Sequence, residues 1–195
     1  MNIVGILGII VIAVAVWVIW SYNAFIRLVN RTDEAWADID VQLKRRYDLI
    51  PNLIETVKGY AAHEKETLNQ VTQARTEATQ VHVDPSNITP AQIQAIAGAE
   101  AGLAQSLGKL LAIAENYPDL KANENFVELQ RELTDTENKI QASRRFYNTN
   151  VRDLNTVVQS FPQNIIAGAF SFVNREFFEL GEDEQDAKDP VKVKF

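Results

Sequence analysis

The stretch KRRYDLIPNLIETVKGY, residues 44–60, carries a proline in the middle of a regular helical pattern. Proline lacks the amide hydrogen that a helix needs, and its ring collides with the carbonyl one turn earlier. Apolar side chains nevertheless recur every three or four residues on both sides of Pro51, in a stripe that is polar only at Glu64 and Arg75. Because the stripe keeps its phase, we predict one kinked helix, or two nearly collinear ones, over residues 33–81 rather than a chain reversal.

The chain upstream of this stripe begins with a long apolar segment. Residues 3–20 carry no charge and are almost wholly aliphatic, which is long enough for a helix to cross the hydrocarbon layer of a membrane. Trp17, Trp20 and Tyr22 lie where the aromatic belt of a membrane helix is found. A cleaved signal peptide fits less well, because the segment has no basic start and its only Ala-x-Ala is followed by further large apolar residues. We therefore predict a transmembrane anchor over residues 1–22.

Charges on the two sides of the anchor predict its orientation. No side-chain charge precedes the anchor, whereas Arg27, Arg31 and the basic residues 44–46 follow it. Basic residues accumulate on the cytoplasmic side of membrane helices, so we expect the N-terminus outside and the rest of the chain in the cytoplasm. Only two arginines lie close to the span, and the opposite orientation therefore stays open.

A capping motif begins the next predicted helix. The residues TPAQ, 89–92, combine an N-cap threonine, a first-turn proline and a capping-box glutamine. We extend this helix to about residue 116. It is rich in small residues, and the spacing of Gly98 and Gly102 predicts close packing against a neighbouring helix in water.

A third helix is predicted from Asn123, a good N-cap residue, to about Ser160. The spacing of its apolar residues, from Phe126 through Ile140 and Tyr147, is nearer to seven residues per two turns than to 3.6 residues per turn. This spacing is typical of coiled-coil-like packing at a shallow crossing angle. Such a helix extends the predicted body into a rod.

The C-terminal part holds a last apolar piece and an acidic end. We predict a short fourth helix over residues 163–172, followed by an extended segment in which Phe177, Phe178 and Leu180 pack on the bundle. This piece could instead lie on a membrane surface, although few basic residues flank it, which favours core filling. Residues 181–195 read as a disordered tail.

Together these elements define the predicted fold class. The chain should be all-α, with an N-terminal transmembrane helix followed by an elongated antiparallel four-helix bundle whose long first helix is kinked. The predicted organisation is an anchor over 1–22, a bundle over 23–180 and a disordered acidic tail over 181–195.

Composition and motifs argue against catalysis and against nucleic-acid binding. The formal net charge of −7 opposes binding to phosphates, and the absence of cysteine removes thiolate chemistry. His63 and Glu64 begin like a zinc-protease motif, but Thr67 stands where its second histidine is required. No glycine-rich phosphate loop or serine elbow is present. We predict no enzymatic activity, no cofactor, no metal site and no nucleic-acid partner.

Polar residues near the proline form the candidate interface. Two groups of similar composition stand out, one beside the proline and one on the third helix: Arg45, Arg46, Asp48, Pro51 and Asn52, and Arg144, Arg145, Tyr147 and Asn148. One interpretation is an interhelical network that satisfies the carbonyls released by the proline. The other is a contact surface for a second protomer or a partner, since arginine and tyrosine are common interface anchors. The sequence leaves both open.

Two blocks of sequence carry a family resemblance. SYNAFIRLVNRTDEAWADIDVQLKRRYDLIPNLIETVKGYAAHE, residues 21–64, and ENYPDLKANENFVELQRELTDTENKIQASRRFYNTNVRDLN, residues 115–155, resemble the LemA family of membrane-anchored bacterial proteins. The resemblance implies a single anchor in the bacterial inner membrane, with the short N-terminus outside, and an elongated helical bundle. It implies no established enzymatic activity and no catalytic residues.

Two functional hypotheses follow from these observations. The first is a membrane-anchored scaffold that self-associates, with the lipid bilayer and further copies of the chain as partners. The alternative is an accessory or signalling subunit that regulates a membrane enzyme such as a protease, through a contact with a membrane protein partner. A kink at Pro51 would re-aim the distal helices and suit a curved or ring-like assembly.

Overall fold

The computed structural model describes residues 2–81, 83 and 88–178, and regular structure in these ranges is helical throughout. The six helices are α1 (Ile3–Lys58), α2 (Lys65–Gln80), α3 (Pro90–Ala114), α4 (Pro118–Lys121), α5 (Glu124–Gln159) and α6 (Gln163–Phe170). The predicted all-α class, with a long apolar helix at its start and a helical bundle after it, is confirmed. Leu180 and the acidic tail over 181–195 lie outside the described residues.

Helix α1 joins the apolar segment to the bundle without interruption. It contains 56 residues, which corresponds to about 84 Å, and Pro51 lies inside it. An 18-residue window near its start has a mean hydropathy of 2.9, and none of that window is buried. The predicted passage of a helix through Pro51 is therefore confirmed, and the anchor and the first bundle helix are one element.

The predicted continuation of this helix to residue 81 is wrong. Helix α1 ends at Lys58, a turn over residues 59–64 follows, and α2 runs back along α1. The reversal is fixed by a hydrogen bond of 2.7 Å in which Arg75 Nε donates to the carbonyl oxygen of Tyr47. The apolar stripe kept its phase because both helices turn that stripe toward one core, where Val57 and Val71 are fully buried. Periodicity indicates which side chains face the core, but it does not show whether the chain turns between them.

The four long helices alternate in direction. Helix α5 runs antiparallel to α1, because Trp36 packs on Tyr147 and Arg46 pairs with Glu137 further along. Helices α2 and α3 form a second antiparallel pair that covers the half of α1 distant from the apolar segment. Helix α5 therefore covers α1 along the whole bundle, with α6 beside it near the apolar segment and α2 and α3 beside it near the far end.

Local capping chemistry sets the helix boundaries as predicted. The Thr89 hydroxyl accepts from the backbone N–H of Gln92, and the Gln92 side chain accepts from the backbone N–H of Thr89. Asn123 accepts from the backbone N–H of Phe126 at 3.0 Å. The one-turn helix α4 was not predicted; Pro118 stands at its start, a position where proline is favoured.

The last helix is two residues shorter than the predicted range of 163–172. Helix α6 ends at Phe170, since Ser171 adopts a left-handed conformation with φ of 59° and turns the chain back along α5. In the extended segment that follows, Phe178 is buried as predicted, whereas Phe177 is 40 % exposed. Among the residues that the structure describes, the close packing predicted at Gly98 and Gly102 is also not found, because a Cβ at either position would meet nothing within 4 Å.

Candidate functional site

The structure separates the nine candidate interface residues into a buried and an exposed set. Arg46, Arg144 and Tyr147 are buried in the bundle, and Asn148 is half-buried. The remaining residues face solvent or are half-buried at the surface: Arg45, Asp48, Pro51, Asn52 and Arg145. The antiparallel register also places the α5 residues about 20 Å along the bundle from Pro51. The nine residues therefore do not form a single surface.

Arg46, one of the buried set, belongs to an ionic network between α1, α3 and α5. Arg46 of α1 pairs with Glu100 of α3, and its Nη1 lies 2.6 Å from Oε2 of Glu137 on α5. Tyr47 donates its hydroxyl proton to Glu100 as well. Arg46 and Glu100 are only 5 % and 6 % exposed, so their charges depend on each other for stabilisation. This network fixes α3 against the α1–α5 pair.

Glu100 and Glu137 were not among the predicted residues, although the helical phase contains the signal for Glu100. Buried apolar residues precede and follow it at three- and four-residue steps, namely Ile96, Ala97, Leu103 and Leu107. Arg46 occupies the same kind of position between Leu43 and Ile50 on α1. A charged residue in phase with an apolar stripe is expected to be buried and therefore to need a partner of opposite charge. Because Arg46 and Glu100 are two such residues on different helices, they could have been predicted to pair with each other.

Burial changes the acidity of two tyrosines of the bundle, Tyr47 and Tyr147. Burial raises the pKa of Tyr47 to about 12, with the Arg46 charge opposing the rise. Burial likewise raises the pKa of Tyr147 to about 12, and the Arg175 charge opposes it. Both phenols therefore stay protonated at neutral pH. Their hydroxyls act as hydrogen-bond donors, to Glu100 and to the carbonyl oxygen of Glu176 respectively.

The carbonyl that Pro51 releases has a partner from another helix. Pro51 has no N–H for the carbonyl of Tyr47 one turn earlier, and Arg75 of α2 supplies the missing donor at 2.7 Å. Glu64, the other polar residue in the apolar stripe, accepts a hydrogen bond of 3.0 Å from the Tyr117 hydroxyl. The released carbonyl is therefore satisfied by one bond from Arg75, whereas Arg45 and Arg46, beside Pro51, pair with Glu132 and Glu137 instead.

Substitution at Arg75 and Pro51 should show this coupling directly. We expect Arg75→Met to lower the free energy of unfolding by about 2 kcal/mol, because it leaves the Tyr47 carbonyl without a donor. In a Pro51→Ala background the new amide can donate to that carbonyl, so the same Arg75 substitution should cost clearly less. Chemical denaturation of the four proteins of this double-mutant cycle measures the difference. Equal costs in both backgrounds would contradict the assigned role of Arg75.

Arg144, Tyr147 and Asn148 of the predicted set hold the extended segment against α5. Asn148 donates to the carbonyl of Phe178 at 3.0 Å and accepts from its N–H at 2.8 Å. Asn155, two turns later, makes the same pair of bonds with Arg175 at 2.9 and 2.8 Å. The guanidinium of Arg144 lies 4.8 Å from the centre of the Phe178 ring. We call residues 172–178 the C-terminal strap, which is thus paired with the side chains of α5 rather than with a strand.

A groove opens beside the ionic network. It has a volume of about 520 Å³ and lies between α1, α3 and the end of α2, with Trp36, Leu43 and Ile96 on its walls and Asp40 and Lys44 exposed beside them. Across the described ranges, no group of three or more histidine, aspartate or glutamate side chains is placed to hold a metal ion.

An exposed apolar helix long enough to cross a bilayer, continued directly into an antiparallel bundle, defines a membrane-associated helical-bundle protein. Comparison with known proteins places it more narrowly. The LemA family model matches residues 35–195, and the chain belongs to the LemA family. The resemblance found in the two sequence blocks is thereby confirmed.

Individual relatives extend this comparison. The chain is 28 % identical to "Protein LemA" of Metamycoplasma hominis over 165 residues, which covers 84 % of the chain and 71 % of the relative. It is 24 % identical to "Magnetosome protein MamQ 2" of Paramagnetospirillum magneticum over 186 residues, covering 87 % of the chain and 68 % of that protein. The MamQ of Magnetospirillum gryphiswaldense is also 24 % identical, over 80 % of the chain and 64 % of its own length.

Proposed function

We propose that this protein is a membrane-anchored scaffold that self-associates and has no enzymatic activity of its own. In this proposal the apolar segment crosses the bacterial inner membrane with the N-terminus outside, and the bundle lies in the cytoplasm. Its partners are the lipid bilayer and further copies of the chain, and nucleic acid is not among them.

The observation that carries the proposal is the exposed apolar start of α1. The apolar window is entirely unburied, while the same helix continues into the bundle core with Ile39, Ile50 and Val57 fully buried. One rigid element thus has a membrane-compatible half and a protein-covered half. The MamQ relatives are named as magnetosome proteins and not after a reaction, which supports a structural role rather than a catalytic one.

The exposed members of the candidate set supply the proposed contact between copies. Asp48, Pro51 and Asn52 are exposed on α1, beside the half-exposed pair of Arg45 and Glu132. A surface ion pair of this kind adds little to the stability of a single chain, so its charges are free to contribute to recognition. The buried members, Arg46, Arg144 and Tyr147, take no part in this surface.

The mass of the solubilised protein tests the proposal. We expect a discrete oligomer that resists dilution in size-exclusion chromatography with light scattering, once the detergent contribution is subtracted. Asp48→Lys should shift the protein to smaller species, whereas Glu66→Lys, which makes the same charge change on exposed α2, should not. A monomeric wild-type protein at all concentrations would overturn the self-association.

A monomeric protein would favour the alternative function, an accessory subunit of a membrane enzyme, and this alternative has its own test. Charge reversal at Arg45 and Arg145, both outside the core, should then abolish co-purification of the partner without changing helicity. Arg46 is unsuitable for this purpose, because reversing a buried charge breaks the bundle itself.

A further inference from the structure

Helix α6 buries one side and exposes the other. Ile166 and Ala167 are buried against Phe25 and Leu154, where α1 and α5 meet. Phe172 stacks on Phe25, but four other large apolar side chains of this region are exposed, by 79 %, 59 %, 48 % and 67 % respectively: Phe161, Ile165, Phe170 and Val173. Core filling, which the sequence favoured, therefore accounts for only one face of this helix. The opposite face is apolar and uncovered.

The end of the bundle that carries α6 has no charged side chains. Residues 154–174 contain none, and residues 3–26 of α1 contain none either. The two uncharged segments end at the same level of the bundle, since Phe25 and Leu154 belong to one packed cluster. Charges resume on both helices just beyond that level, with Arg27 on α1 and Asp153 on α5. A plane across the bundle thus separates an uncharged end from a charged body.

Helix α6 overlaps the part of α1 that has to be in the bilayer. A hydrocarbon layer of about 30 Å requires about 20 helical residues, so a span that begins at Ile3 ends near Tyr22. Trp17 and Val18, inside that span, pack against the cluster that includes α6. The Tyr22 ring lies 4.9 Å from the Phe170 ring, centre to centre, in an edge-on contact. The anchor cannot enter the bilayer to its full length without taking α6 with it.

We infer that α6, with residues 161–173, is a second membrane-contacting element that lies in the interface between lipid headgroups and acyl chains beside the anchor. The occupant of its exposed apolar face is lipid, because that face continues the exposed surface of the anchor and carries no charge. The inference rests on the proposed membrane anchoring and adds to it. The protein is held at the bilayer by two elements, which fixes the orientation of the bundle about the anchor axis.

Site-specific fluorescence in lipid nanodiscs tests this inference with the full chain. The protein contains no cysteine, so single cysteines can be introduced at Ile165, at Val11 in the anchor, and at Val127 far along α5, and labelled with an environment-sensitive dye. Val127 is a matched control because it is an apolar residue that is 46 % exposed. Each protein is measured with spin-labelled lipids that quench either near the headgroup or near the ends of the acyl chains.

The expected result is quenching of the Ile165 label by the headgroup-proximal spin label, deeper quenching of the Val11 label, and no quenching at Val127. Quenching at Val11 without quenching at Ile165 would overturn the inference and leave the anchor standing. A blue-shifted but unquenched Ile165 label that shifts back on dilution would mean that a second copy covers α6, which also overturns it. No quenching at Val11 would show that the anchor is not inserted, and both proposals would fail together.

Discussion

Replacing Arg46 with methionine should lower the free energy of unfolding by about 3 to 5 kcal/mol. The substitution removes the cation that pairs with Glu100 and Glu137, and Glu100 is left only 6 % exposed with a charge that water cannot reach. Because Glu100 lies on α3, the loss should loosen α3 from the α1–α5 pair. Denaturant unfolding followed by circular dichroism in detergent measures the change.

Two further variants separate the network from the general cost of losing an arginine. Arg45→Met, at the neighbouring position, should cost less than about 1 kcal/mol, because Arg45 and Glu132 are 40 % and 36 % exposed. Adding Glu100→Gln to Arg46→Met should recover most of the loss, because no unpaired charge then stays buried and the amide still accepts from Tyr47. Similar costs for the Arg45 and Arg46 variants would show that the buried pair does not hold the bundle together.

Removing both asparagines that hold the C-terminal strap should release it from α5. Asn148→Ala with Asn155→Ala takes away four hydrogen bonds of 2.8 to 3.0 Å and leaves the backbone groups of Arg175 and Phe178 without their partners. We expect a loss of about 4 kcal/mol in the local stability of the strap. Hydrogen exchange should show that the amides of Arg175 and Phe178 lose protection while those of α1 and α3 keep theirs.

The control for this experiment is Asn138→Ala, which changes an exposed asparagine on the same helix. It should leave exchange in the strap unchanged. If the strap amides stay protected in the double variant, the contacts of Phe178 with Trp36 and Arg144 suffice to hold it, and the asparagine bonds contribute little.

How much of the fold the sequence predicts depends on how local the determining chemistry is. The N-caps at Thr89 and Asn123 are set by residues within one turn, and both were predicted. The turn after Lys58 was missed because the apolar stripe runs on in phase from Val57 to Leu68, although the two residues face the same core from different helices. That shared core is a tertiary property, which a one-dimensional period does not contain.

The candidate site shows the same limit. The arginines near Pro51 were selected by their residue type, but residue type does not indicate which of Arg45 and Arg46 points into the core. The helical phase does, because Arg46 is in step with Leu43 and Ile50 whereas Arg45 is not. The pairing of Arg75 with the Tyr47 carbonyl could not be predicted from the sequence, since it depends on the reversal that brings α2 back past the proline.

The unbroken course of α1 has a mechanical consequence at the far end of the molecule. From Tyr22 to Lys58 the helix is about 54 Å long and runs on through Pro51, so a change of direction at its start is carried along its length. A tilt of about 20°, ordinary for a membrane helix, would carry the distal turn over residues 59–64 sideways by about 18 Å. In the proposed membrane-anchored scaffold, a bilayer thickness or curvature that alters the tilt of the apolar segment would therefore displace the distal ends of associated copies relative to one another.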